Sequence, residues 1–138
     1  TISVTLLHTA SGNGHLALVR ELLKRGASID LPNGLGQTSL MDAAFNGHLS
    51  IVLVLLQHSA NADLQTNKGN TAVILAADQG HEACVQALLR AKANPDLQSI
   101  KGITARAAST TTGTAITDTA TGINGGIAPR ITRACIVI

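Results

Sequence analysis

The sequence predicts an all-α solenoid of helix–turn–helix units. Three observations predict it. A set of residues recurs at a spacing of 33, the apolar residues within each unit fall at helical spacing, and the 138 residues hold one Phe with no Trp or Tyr. A core of Leu, Val, Ile and Ala without an aromatic centre suits small repeated packing units better than one large globule. The length allows one domain or one short array.

The repeat is read by alignment of the chain with itself. Thr5, Thr38, Thr71 and Thr104 stand 33 apart. Gly14–His15, Gly47–His48 and Gly80–His81 recur at the same step, followed by Val19, Val52 and Val85. Leu22–Leu23, Leu55–Leu56 and Leu88–Leu89 come next, then Ala27, Ala60 and Ala93. Asp30, Asp63 and Asp96 precede Gly36, Gly69 and Gly102, which close each unit.

Each element then has a physical reason. Thr38 is a good N-cap, because its hydroxyl accepts from an orphan helix N–H. From Thr38 to Asn46, Leu40, Met41, Ala43 and Ala44 share a short helix, with small alanines where neighbouring units press close. Asn46–Gly47 supplies a reversal, since both residues tolerate positive φ. From His48 to His58 the apolar residues read at helical period. Ser59 to Gln65, extended by Asn67, Gly69 and Asn70, has the chemistry of a loop. Two short helices cannot bury both apolar faces alone, so the units must stack. The Leu–Leu step of each second helix is the expected energetic centre, a buried Leu contributing about 1.5–3 kcal/mol.

Thr5-Leu6-Leu7-His8-Thr9-Ala10 resembles the T-P-L-H-x-A signature of the ankyrin-repeat family, with Leu for Pro. Thr38-Ser39-Leu40-Met41-Asp42-Ala43 and Thr71-Ala72-Val73-Ile74-Leu75-Ala76 are looser matches. The continuation G-H-x-x-x-V-x-x-L-L-x-x-G-A is met fully in the first unit, while Ser59 and Lys92 take the last Gly in the next two. The resemblance covers about residues 4–104 and implies an ankyrin solenoid, two helices and a β-turn loop per unit. Met41 and Ile74 stand where the family has a His that bonds backbone around the turn, so those two units are expected to hold their loops less firmly.

The array is expected over residues 1–108, with units at about 4–36, 37–69 and 70–102 and a fourth beginning at 103. Thr104 to Thr112 is expected to dock as a helix. In the fourth unit the Val becomes Asp118 and the Leu–Leu pair Thr121–Gly122. Residues 109–138 are rich in Thr, Ile and Gly, which suits strand more than helix. A decayed closing unit, an extended adhesive segment ending in Ile136-Val137-Ile138, and a stretch read out of frame all fit that composition. The abrupt start at Thr1, almost on a signature helix, reads as a piece of an array or as an end covered by something else.

Several function classes are excluded on composition. A net charge of +2 is too weak for a nucleic-acid footprint, and Phe45 alone offers no stacking platform. No apolar run approaches the ~18 residues of a membrane span. No secretory signal is visible, so a cytoplasmic location is expected. Two Cys make no disulfide framework. No C-x-x-C and no His pair on one helix turn suggests a metal, and no glycine loop has the context of a phosphate cradle.

The remaining polar residues read as structural. His15, His48 and His81 recur as turn residues that open the second helices, and His8 matches the signature His. His58 stands near a helix end, where a cation is favoured, with a partner contact as the other reading. Cys84 takes the slot of Leu18 and Ile51 and is expected to be a small buried apolar residue. Asp30, Asp63 and Asp96 form a ladder, not an acid–base pair. No enzyme and no cofactor are expected.

Function is then expected on the surface that stacking creates. The resemblance implies partner-facing residues at loop tips and on the exposed edge of the first helices. Carried over, these are Leu35, Gln37, Asp42, Phe45 and Asn46 in the second unit. In the third they are Asn67, Lys68, Asn70, Leu75, Asp78 and Gln79, and Ile100, Lys101 and Ile103 extend the row. Phe45 is the sharpest, because its counterparts are Gly12 and Asp78; its alternative role is packing on a neighbouring helix. The expected function is a non-catalytic scaffold that binds another protein, with no nucleic acid and no membrane. The alternative is a structural protomer that stacks end to end into a homo-oligomer or filament through uncapped ends.

Overall fold

The computed structural model describes residues 2–99, with side chains from residue 6. Six helices run in three pairs: α1 (Ile2–Gly12) with α2 (Leu16–Lys24), α3 (Ser39–Phe45) with α4 (Leu49–Gln57), and α5 (Ala72–Asp78) with α6 (Glu82–Arg90). The described residues contain no strand. The first helices pack in one row, α1 on α3 on α5, and the second helices in another, α2 on α4 on α6. The fourth unit from 103 and the Thr/Ile/Gly-rich residues 109–138 lie outside the described residues.

The helix starts follow the capping chemistry. Thr38 Oγ1 accepts from the Met41 N–H at 3.4 Å, and Thr71 Oγ1 from the Ile74 N–H at 3.3 Å. The Met41 sulfur in turn accepts from the Thr38 N–H at 3.4 Å, closing a capping box in which a thioether replaces the usual carboxylate. The first unit differs: α1 begins at Ile2, so the Thr5 of the period falls inside a helix rather than at its start.

Helix ends obey the period as well. The N–H groups of Ala27, Ala60 and Ala93 return to the carbonyls of Leu22, Leu55 and Leu88 at 3.0–3.1 Å. This closure needs a left-handed residue just before each Ala. Gly26 supplies it with φ 81°, whereas Ser59 at 66° and Lys92 at 64° adopt it with side chains attached.

Burial refines the expected energetic centre. Val19, Val52 and Val85 are wholly buried in all three units, and so are Leu55 and Leu88. Leu22, Leu23, Leu56 and Leu89 are only partly buried. The second Leu of each pair thus packs at the margin, and Val carries the centre in every unit. Ala43, Ala44, Ala76 and Ala77 are fully buried where the first helices approach one another. Cys84 is buried too, and burial pushes its thiol pKa up, as suits an inert apolar residue.

The loops are tied to one another across units. The Asn61 N–H donates to Asp30 Oδ1 at 2.9 Å, and the Asn94 N–H to Asp63 Oδ1 at 2.7 Å, so the aspartate ladder is a chain of loop-to-loop bonds. Gln65 Nε2 donates to the Gly69 and Gln98 carbonyls. These bonds fasten the loops that the replacement of His by Met41 and Ile74 was expected to leave looser. The His48 ring bonds the Gly12 carbonyl at 2.9 Å and lies against Gly14, keying the second unit onto the first.

Candidate interaction surface

Each of the two loop tips among the described residues is a tight turn with a fixed shape. The Asn33 N–H bonds the Gln37 carbonyl at 2.8 Å and the Gly36 N–H bonds Asn33 at 2.9 Å; Thr66, Asn70 and Gly69 repeat this at 2.9 and 2.8 Å. Asn33 Oδ1 accepts from the N–H groups of Leu35 and Gln37, and Thr66 Oγ1 plays the same part for Lys68 and Asn70. The Asn67 N–H reaches the Leu35 carbonyl at 3.1 Å, and Asn67 Nδ2 the Gly34 carbonyl at 3.2 Å. Gly36 is required there: its φ is 76°, and a Cβ would stand 2.9 Å from the Asn67 nitrogen. The turns therefore form one braced strip with Leu35 at its tip, 63% exposed.

The expected partner-facing residues divide by environment. Leu35, Phe45, Asn46, Asn67, Lys68, Asp78 and Gln79 are exposed, while Gln37, Asp42, Asn70 and Leu75 are half-buried. Ile100, Lys101 and Ile103 lie outside the described residues. Gln37 is engaged, its side-chain oxygen accepting from Asn33 Nδ2 at 2.9 Å. Asn46 Nδ2 donates to the Asp42 carbonyl at 2.9 Å.

Asp42 has a structural partner that the sequence reading missed. The His8 ring bonds Asp42 Oδ2 at 2.7 Å through Nδ1 and the Leu31 carbonyl at 3.0 Å through Nε2. The hydrogen bond to Asp42 raises the His8 pKa above its ordinary value, helped by the Leu31 carbonyl and opposed by burial. The signal was present as His8 in the signature, but its partner lies 34 residues on and comes close only through stacking. Beside this pair opens a cleft of about 370 Å³ lined by His8, Thr9, Gly12, Asn13, Asp42 and Asn46. Among the described residues no cluster of His, Cys, Asp or Glu has the geometry to hold a metal.

A family model for ankyrin repeats, in three copies, matches residues 4–100. The chain belongs to the ankyrin-repeat family. The match spans the three helix pairs and the loops that join them. No curated protein sequence matches this ankyrin chain significantly. Ankyrin repeats generally mediate protein–protein interaction and are typically non-enzymatic. Among the described residues of this array no helix is long and apolar enough to cross a membrane.

Proposed function

We propose that this ankyrin array is a non-catalytic scaffold that binds a partner protein along the first-helix edges and loop tips of its second and third units. The observation that carries the reading is the exposure of Phe45 at the end of α3, 42% open where the other units have Gly12 and Asp78. Stacking places no apolar demand on that position, and aromatic anchors dominate binding hot spots. The braced loop strip supports the same reading, because turns already fixed lose little freedom on binding. The test compares proteins captured by the wild-type chain and by Phe45→Ala. Loss of captured partners, with a binding cost above about 2 kcal/mol and unchanged unfolding, is the expected result. An equal loss of folding stability would make Phe45 a packing residue and remove the hot spot.

End-to-end assembly is the second reading, and one observation favours it. Leu6 and Leu18 are 44% and 42% exposed, whereas their counterparts Ser39, Ala72, Ile51 and Cys84 are each 1% exposed beneath the preceding unit. The first unit thus presents the face that elsewhere receives a neighbour. Light scattering over a dilution series tests this. A mass constant at the 14.1 kDa of one chain retires the assembly, and ordered, reversible polymers establish it.

A further inference from the structure

The cleft beside His8 and Asp42 is a gap in a repeated pattern. Gly12 ends α1 as Phe45 ends α3, one period apart. A Cβ on Gly12 would lie 3.8 Å from both Asp42 Cβ and Asn46 Nδ2, aimed at the α3 side of the cleft. One period on, those two positions hold Leu75 and Gln79, and Leu75 is half-buried. The cleft of the first unit is lined by polar side chains, and the residue at its helix end is a glycine.

Its one carboxylate sets its charge. Both His8 ring nitrogens are spent, on Asp42 Oδ2 and on the Leu31 carbonyl. Asn46 Nδ2 gives one of its two hydrogens to the Asp42 carbonyl. Asp42 Oδ1 and Asn46 Oδ1 are acceptors without a partner among the described residues, and Asp42 is the one carboxylate among the residues that line the cleft. His8 is buried while the Asp42 side chain is 22% exposed, so the pair turns its negative end outward. The surrounding charge agrees. α1, α3 and α5 carry Asp42 and Asp78 and no Lys or Arg, whereas α2 and α6 carry Arg20, Lys24 and Arg90 together with Glu21 and Glu82.

We propose that this cleft is a socket for an arginine side chain of the partner protein, with Asp42 and Asn46 accepting from its guanidinium. The inference rests on the scaffold reading and names the partner's chemistry at that surface. A planar fork of donors matches two acceptors in an open, shallow cleft better than a point charge does. Phe45, on the next unit of the same row, adds an apolar contact for the residues flanking the arginine.

The socket is tested on the whole chain by amide NMR, with N-acetyl-arginine amide as probe and N-acetyl-citrulline amide, of the same shape without charge, as control. Arginine amide is expected to bind with a Kd of about 1 mM or weaker, as one solvated contact does, moving the amides of Thr9, Gly12, Asn13, Asp42 and Asn46. Citrulline amide is expected to leave them in place. Gly12→Phe plugs the socket from the end of α1, and Gly12→Leu is a smaller plug; either is expected to abolish the shifts with the melting temperature maintained. Shifts scattered over the chain, equal shifts with citrulline, or shifts that survive a folded plugged variant overturn the proposal. The broader reading fails separately. A partner that Phe45→Ala weakens tenfold and Gly12→Phe leaves unmoved keeps the row as the interface and removes the socket.

Discussion

His8 on α1 and Asp42 on α3 meet at 2.7 Å across the boundary between the first two units. The other His8 nitrogen faces the Leu31 carbonyl at 3.0 Å. A neutral imidazole has one N–H, and both neighbours only accept, so the arrangement is complete only with the ring protonated. One side chain thereby joins a helix, the next unit and the loop between them.

Stability is therefore expected to depend on pH through this pair. The folded pKa of His8 is raised above the ordinary 6.5. Its contribution is fully present below 6.5 and is lost as pH rises through the folded value. Urea unfolding at pH 5.5 and at pH 8.5 is expected to show the higher stability at the lower pH. Asp42→Asn removes the charge that holds the proton and is expected to flatten the difference. A wild-type profile that rises with pH, or a difference unchanged in Asp42→Asn, would exclude the pair as its source.

Ser59 and Lys92 hold the left-handed conformation that Gly26 holds in the first unit. An L side chain there costs about 1–2 kcal/mol relative to glycine. Ser59→Gly and Lys92→Gly are each expected to stabilise the array by about 1 kcal/mol, less than the full strain because glycine also frees the unfolded chain. Chemical denaturation of the single and double variants measures it, and destabilisation by either would mean that strain is not what those positions carry.

Ser11 is fully buried in α1, and its hydroxyl has no hydrogen-bond partner among the described residues. The same position is Ala44 and Ala77 in the following units, both completely buried. Ser11→Ala removes an unsatisfied polar group without leaving a hole of consequence. A gain of about 1 kcal/mol is expected, read as a higher melting temperature. A loss would show that the hydroxyl is satisfied in solution.

The two leucines of the α4 step are expected to differ. Leu55 is wholly buried, so Leu55→Ala should cost about 2–5 kcal/mol. Leu56 is only partly buried and should cost less than half of that. Equilibrium unfolding of the two variants decides it, and equal losses would restore the pair as one energetic unit.

Much of this architecture was legible in the chain. The 33-residue spacing, the Thr caps and the glycine or near-glycine closures located the helices to within a residue in the second and third units, because capping and left-handed turns are local chemistry. The buried Cys84 and the aspartate ladder followed from the same alignment, whereas the central place of Val19, Val52 and Val85, expected for the Leu–Leu step, did not. The start of α1 did not, since helix at Ile2 overrides the Thr5 signal.

What the sequence by itself determined is the repeat: which residues cap and turn, and hence an ankyrin solenoid. Tertiary structure alone decided which side chains meet across units. His8 finds Asp42, Asn94 finds Asp63 and the His48 ring finds the Gly12 carbonyl. Such contacts depend on the stacking offset between helices 33 residues apart, a distance no local propensity encodes.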